Sequence, residues 1–277
     1  MKKMNKKTIA ALALLLVLLL TLSACGAAKP ASDTAPLRVG MECGYAPFNW
    51  TQLDASNGGV AIEAGGFAGG YDVVIAQKIA AAMGRELVIV KTEWDGLLPS
   101  VTSGKIDLII AGMSPTDERR QSISFSDYYY TSEIVLVIKK DSAFAGATSI
   151  NDFAGAKVTG QLGTLHYDFI DQMTGVDKQP AMDDFPTMIV ALGAGKIDAY
   201  ISERPGAESA VASNPNLTFL SFDEANGFSI SADEISISIG VAKDSYLLPV
   251  INEALAGIPE DERQKIMAEA LANQPAA

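Results

Sequence analysis

Histidine and cysteine are nearly absent from this chain. One histidine, His166, and two cysteines, Cys25 and Cys43, stand in 277 residues. So few nitrogen and sulfur donors leave little for a metal site of that kind, and no cofactor is expected. Net positive charge is also missing: 21 basic residues face 33 acidic ones, a formal charge of −12. Such a balance argues against nucleic-acid partners and says nothing sharp about a small ligand. Beyond the amino terminus no stretch is long and apolar enough to cross a bilayer.

What the sequence does hold begins with a leader. Lys2, Lys3, Lys6 and Lys7 precede an apolar or small run from Thr8 to Ala24, short for a membrane span and of the form of a signal peptide covering residues 1–24. It ends in Leu22-Ser23-Ala24-Cys25. That motif resembles the bacterial lipobox, which implies cleavage before Cys25 and attachment of lipid, palmitate included, to that cysteine as the new first residue. The protein is therefore expected outside the cytoplasm, held to the cell membrane by Cys25. Residues 25–36 are small, polar and proline-bearing, as a tether should be. Removing residues 1–24 takes away four of the 21 basic residues and no acids, leaving 17 against 33 and a formal charge of −16. With Cys25 acylated, Cys43 has no disulfide partner. The remaining roughly 240 residues suffice for one large domain or two modest lobes.

The segment from Trp94 to Asp127 organises the rest. Leu97, Leu98 and Val101 recur at helical spacing, Gly104 stops the helix, and Ile106–Ala111 is an apolar run suited to a parallel strand covered on both faces. Gly112 then permits close backbone approach, Ser114-Pro115-Thr116-Asp117 reads as a helix start, and Arg119 falls in its first turn. A strand exit with an arginine beside free helix N–H groups is suited to clamping an anion. The same layout returns later. Gly104-Lys105-Ile106-Asp107 and Gly195-Lys196-Ile197-Asp198 are identical, and the match extends loosely backwards to pair Trp94 with Phe185. Duplicated βα units point to two α/β lobes.

Elsewhere, Leu37–Met41 reads as a strand opening into Glu42-Cys43-Gly44-Tyr45-Ala46-Pro47-Phe48-Asn49-Trp50. Phe48 and Trp50 are expected to cover the core, and Tyr45 to face a ligand. Gln52–Gly70 has no clean period and reads as a surface excursion. A helix is predicted from Asp72, as N-cap, to Gly84, with Val73, Ile75, Ala76 and Ile79 inward, followed by a strand at Leu87–Val90. Ile134–Lys139, Lys157–Thr159, Ile197–Ile201, Asn216–Phe222 and Ile235–Ala242 read as strands. Tyr167–Met173 and Phe185–Ala194 read as helices, and Tyr246–Ala272 as a helix broken near Gly257-Ile258-Pro259. The loop Gly160–His166 offers amides to an anion. Glu203, in the loop Ser202–Pro205, either binds an ammonium group or pairs with Arg204 at the surface.

Taken in order, the segments E-C-G-Y-A-P-F-N-W, G-G-Y-D-V, E-W-D-G-L-L-P, G-K-I-D-L-I-I-A-G-M-S-P-T-D-E-R, S-F-S-D-Y-Y-Y, Q-L-G-T-L and I-S-E-R-P-G-A resemble the bacterial extracellular solute-binding proteins of polar amino-acid ABC importers, from about Leu37 to Leu271. The resemblance implies a two-lobe periplasmic-binding-protein-like fold of type II, each lobe a mixed sheet flanked by helices. Residues 37–131 and 237–277 would form lobe 1 and residues 132–236 lobe 2, joined by two hinge strands. It implies a monomeric binding protein, not an enzyme, that closes on one free L-amino acid and delivers it to a membrane permease. Arg119 would take the α-carboxylate, helped by N–H groups of Thr164 and Leu165. In the Gly112-Met113-Ser114 loop, the Gly112 carbonyl and Ser114 hydroxyl would join Glu203 in taking the α-ammonium group. Tyr45 and Trp94 would sandwich the ligand side chain, Glu42 would line the far end, and His166 would stand beside the ligand or at the surface. Glu42 with aromatics suits a basic side chain, while a glutamine-like ligand or a Glu42 held locally stays open. A dehydratase on the same scaffold, using Glu42 or Glu203 as its acid, and a ligand-sensing ectodomain are the rival readings.

Overall fold

The apolar runs become the central strands of two five-stranded sheets in the computed structural model, which describes residues 35–275. The expected leader, Cys25 and the tether as far as Thr34 lie outside the described residues. Strand β1 (Leu37–Met41) leads into a small sheet of β2 (Gly44–Tyr45), β3 (Asn49–Gln52), β4 (Val60–Ala61) and β5 (Phe67–Gly69). The stretch expected to be a surface excursion is therefore partly sheet. Strands of two to four residues are too short to show a period of two, which is why the pattern hid them.

Helix α1 (Tyr71–Met83) and β6 (Leu87–Lys91) complete a parallel βαβ unit with β1. Gly84 ends α1 in the left-handed conformation as expected, but Asp72 is not its cap. Gly70 holds the cap position and Asp72 is the helix's second residue, fully buried, its carboxylate committed to side chains beneath the sheet. Next come α2 (Trp94–Thr102), β7 (Leu108–Ile109), α3 (Asp117–Ser122) and β8 (Ile123–Thr131).

The chain then builds a second unit from β9 (Ile134–Lys139), β10 (Lys157–Thr159), α4 (Leu165–Phe169), β11 (Asp177–Lys178), α5 (Phe185–Gly193), β12 (Ala199–Glu203), α6 (Arg204–Ser213) and β13 (Leu217–Leu220). It returns through β14 (Ser236–Ala242) and ends in α7 (Leu248–Ala256) and α8 (Glu260–Asn273). The first sheet runs β6-β1-β7-β14-β8 and the second β11-β10-β12-β9-β13, with three parallel strands followed by an antiparallel neighbour in each. The two connections lie side by side, since the Ser132 N–H donates to the Ile235 carbonyl at 2.8 Å.

The duplication read from Gly-Lys-Ile-Asp has a physical basis. Gly104 and Gly195 both take positive φ, 75° and 67°, so each ends its helix without a Cβ penalty. Each aspartate then pins the start of the neighbouring strand. Asp107 accepts from the Arg38 N–H at 2.9 Å and donates its own N–H to the Arg38 carbonyl at 2.8 Å; Asp198 does the same with Lys157 at 2.9 and 2.8 Å. The motif pins Arg38 at the start of β1 and Lys157 at the start of β10. That sets the register at the far ends of those strands, where the exit loops meet.

Candidate functional site

Parallel strands deliver their exit loops to one edge, and both sheets turn that edge toward the same space. Tyr45, Trp94, Gly112, Ser114 and Arg119 line it from the first half; Gln161, Thr164, Leu165, His166, Phe185 and Glu203 line it from the second. The space they enclose is about 10 Å³, room for a single water. The guanidinium and the carboxylate singled out in sequence thus share one hollow although they come from different halves.

Arg119 is oriented by its helix. Thr116 caps α3 by accepting the Arg119 N–H at 3.3 Å, and the guanidinium donates to the Ser114 carbonyl at 2.9 Å. A second nitrogen reaches the other half, donating to the Gly163 carbonyl at 3.3 Å, while the group lies 5.1 Å over the Trp94 ring. Burial lowers its pKa to about 10, which still leaves it charged at neutral pH. Ser114 donates its hydroxyl to the Glu234 carbonyl at 3.1 Å, so the lone pairs of that oxygen stay available to a donor.

Glu203 is the last residue of β12 and not part of an open loop; it is 2% exposed. Arg204 turns away from it to pair with Glu133 and Ser221, so the surface-pair reading of Glu203 fails. One Glu203 oxygen accepts the Tyr45 hydroxyl at 3.2 Å, the other lies 3.8 Å from His166 Nε2, and burial pushes the carboxyl up to about 8. Glu42, at 6% exposure, accepts from Gln161 Nε2 at 2.7 Å across the cleft, and its other oxygen finds no donor among the described residues. Burial pushes this carboxyl to about 8 as well.

His166 is buried in the first turn of α4, which starts two residues earlier than the sequence suggested. Burial, then the nearby Arg119 charge, lower its pKa to about 3, and neither ring nitrogen has a hydrogen-bond partner among the described residues. It is a neutral imidazole facing the cleft, not a surface histidine. Thr164 stands at the N-cap position of the same helix without capping it through its side chain, and donates its hydroxyl to the Gln161 carbonyl at 2.8 Å.

Two expectations are corrected. Met113 does not reach the hollow: its side chain is fully buried and its carbonyl accepts from the Ser238 N–H at 3.0 Å. The sandwich of Tyr45 and Trp94 is replaced here by other contacts: the Trp94 indole N–H donates to the Gly163 carbonyl at 3.0 Å, and Tyr45 is stacked on Phe185 across the cleft, at 4.3 Å and 12°, and on Phe48, at 5.0 Å and 29°. Such a stack is worth about 0.5–1.5 kcal/mol beyond the area it buries. Phe185 and Gln161 were missed as site residues. The repeat carried the clue for Phe185, because it is the second half's counterpart of Trp94. Phe48 and Trp50 are core residues, as expected. Among the described residues no cluster of three or more metal-ligating side chains occurs, and no helix is long and apolar enough to cross a membrane.

Known proteins share this architecture. A probable histidine-binding protein of Campylobacter jejuni is 34% identical over 211 residues, 75% of this chain and 76% of that protein. The arginine-binding extracellular protein ArtP of Bacillus subtilis is 29% identical, covering 84% of this chain and 86% of its own length. Among solved structures, the amino-acid ABC transporter substrate-binding protein AbpA of Streptococcus pneumoniae, bound to L-arginine, superposes with a TM-score of 0.74 at 28% identity, over 87% of this chain and 96% of that one. The first two are named as amino-acid-binding proteins and the third as the substrate-binding protein of a transporter, none as an enzyme, which removes the dehydratase reading. With the family model matched from residue 37 to residue 272, this chain belongs to the bacterial extracellular solute-binding proteins, family 3.

Proposed function

We propose that this protein captures one L-amino acid between its halves and hands it to an ABC permease. The observation that carries the reading is the pairing of Arg119 and Glu203 on opposite walls of one buried hollow. A zwitterion's charges are strongly hydrated, and a closed cleft must replace that water with charge-assisted bonds at both ends. Arg119 takes the α-carboxylate together with the N–H groups of Thr164 and Leu165. Glu203, the Ser114 hydroxyl and the Gly112 carbonyl take the α-ammonium group. Glu42, with one carboxylate oxygen unmatched, takes the far end of the ligand and favours a basic side chain. The relatives named for histidine and arginine support that preference. Residues 37–131 and 237–277 move as one lobe and residues 132–236 as the other. The acylated Cys25 holds the closed form near its permease.

Thermal denaturation of the protein from residue 26 onward, screened with all common L-amino acids, tests the reading. A ligand that binds only the folded state raises the melting temperature by mass action. Basic amino acids are expected to give the largest shifts, and Arg119→Ala to abolish them while the protein stays folded. A wild-type protein stabilised by no amino acid refutes the reading. For the anchor, Cys25→Ala is expected to end labelling of the precursor by radioactive palmitate, and continued labelling refutes it.

A further inference from the structure

Beneath the cleft floor lies a buried carboxylate that the binding scheme does not use. Asp72 is fully buried near the start of α1, and no basic residue pairs with it among the described residues. Its two oxygens reach two different strand exits. Oδ1 accepts the Tyr129 hydroxyl at 2.8 Å, and Tyr129 Oη in turn accepts the Gly112 N–H at 3.2 Å. Oδ2 accepts from Asn49 Nδ2 at 2.8 Å, and Asn49 Oδ1 accepts the Cys43 N–H at 2.8 Å. Both chains end on residues whose backbone is held at positive φ: Gly112 at 62° and Cys43, unusually for a residue with a side chain, at 55°. Those two residues precede Ser114 and Tyr45 and follow Glu42. The carboxylate therefore sits where the exits of β7 and β1 are tied to each other.

We infer that Asp72 is a positioning residue of the ligand site, its carboxylate holding the Gly112 and Cys43 exits in the geometry that meets the amino acid. The inference rests on the amino-acid reading above. An ionised carboxylate accepts from both donors at once, and each bond to a charged acceptor is stronger than a neutral one. An asparagine in the same place keeps one acceptor and turns the other position into a donor. Facing Asn49, its oxygen keeps that bond; facing Tyr129, its N–H group meets an oxygen that already accepts from Gly112, and the phenolic proton loses its acceptor. The tie to Gly112 is then weakened with almost no change in volume.

Burial raises the Asp72 carboxyl to about 6, so the wild-type side chain itself becomes neutral as pH falls below that value. The titratable groups facing it are Tyr71 and Tyr129 from α1 and β8, Glu42, Cys43 and Tyr45 from the β1 exit, and Glu203 from the other half. All of them are present in both wild type and variant, so a ratio of affinities isolates Asp72.

The experiment measures dissociation constants for L-arginine and L-histidine by calorimetry with the purified wild-type protein, Asp72→Asn and Tyr129→Phe, at pH 8 and pH 5. At pH 8, Asp72→Asn is expected to bind about tenfold more weakly, the loss of one charge-assisted bond's advantage. At pH 5, where the wild-type carboxyl is also neutral, the ratio is expected to fall towards one. A residue that merely stabilises the fold gives no such collapse. Tyr129→Phe cuts the link to Gly112 with Asp72 in place, and is expected to weaken binding about tenfold at pH 8 as well. Its melting curve guards against loss of folding in either variant. Wild-type protein that binds while both variants match it at pH 8, or an Asp72→Asn deficit that is the same at both pH values, overturns the positioning role alone. Wild-type protein that binds no amino acid overturns both readings together.

Discussion

Binding at pH 7 is expected to expel protons, and their number reports the ligand's side chain. Glu203 and Glu42 are 2% and 6% exposed, and burial is the largest cause lifting each carboxyl to about 8. A group with that pKa is about nine-tenths protonated at pH 7. An ammonium group docked against a buried carboxylate favours its charged form and draws the pKa below 7. A ligand with an α-ammonium group and a neutral side chain therefore releases about one proton, from Glu203. L-arginine, whose guanidinium also meets Glu42, releases about two. Calorimetry in buffers of different ionisation enthalpy reads this number directly as a slope. Glu42→Gln is expected to lower the count for L-arginine from about two to about one and to leave the count for L-glutamine unchanged. The sign follows from the raised pKa values: affinity increases as pH rises from 6 to 8, because less work remains to ionise the two carboxyls, and levels off above. A slope of zero for both ligands, or proton uptake, refutes the assignment of these carboxyls to the ligand's cationic groups.

The same carboxyls set the stability of the free protein. In the unfolded chain they ionise near the ordinary glutamate value and in the folded one near 8, so stability is expected to fall as pH rises between those values, by up to several kcal/mol per group, and Glu203→Gln to flatten the melting temperature over that range. Gly112→Ala is expected to destabilise by about 1–2 kcal/mol and to weaken ligand binding, because φ there is 62° and the added Cβ would stand 3.0 Å from Tyr45 Cε1; denaturant titration and calorimetry check both effects. His166 is held neutral, its pKa lowered to about 3, so His166→Gln is expected to leave the pH profile of affinity between 5 and 8 unchanged in shape; a changed midpoint refutes the neutral assignment.

The parts of this molecule legible in its sequence are those written as repeats and as periodic burial. Gly104 and Gly195, Asp107 and Asp198, and the runs Ile106–Ala111 and Ile134–Lys139 mark helix ends, strand starts and strand cores by repetition and pattern, and the observed strands fall there. Arg119 was legible because a capping threonine, a turn and a strand exit announce a helix start. Three features were not. The strand pair of Val60–Ala61 and Phe67–Gly69 depends on partners more than on its own pattern. Asp72 looked like a helix cap because an aspartate before an apolar helix usually is one; only the third dimension shows Tyr129 and Asn49 waiting beneath it. The stacking of Tyr45 on Phe185 joins residues 140 positions apart, and no periodicity within either segment encodes it. Contacts of that kind arise from how two halves meet, whereas sequence patterns speak for each half alone.

That meeting decides what a ligand must do. Hydrogen bonds already join the two walls of the cleft, among them Tyr45 to Glu203 at 3.2 Å, Gln161 to Glu42 at 2.7 Å, and Trp94 and Arg119 to the Gly163 carbonyl at 3.0 and 3.3 Å. Three of the proposed ligand groups, Arg119, Glu203 and Glu42, are thus already engaged with the opposite half. On the proposed reading an amino acid enters when the halves part, and on closure it takes over bonds the protein was making to itself. Its contribution is the difference between the new bonds and those displaced. At Glu203 an ammonium group replaces a neutral phenol, and at Arg119 a carboxylate replaces a neutral carbonyl. Each exchange sets a full opposite charge against a group that had a neutral partner. A solute carrying only one of the two charges makes only one of the exchanges. On that reading, closure over a ligand selects the zwitterion before any side chain is read, and Glu42 and the aromatic stack would act on a choice already narrowed to amino acids.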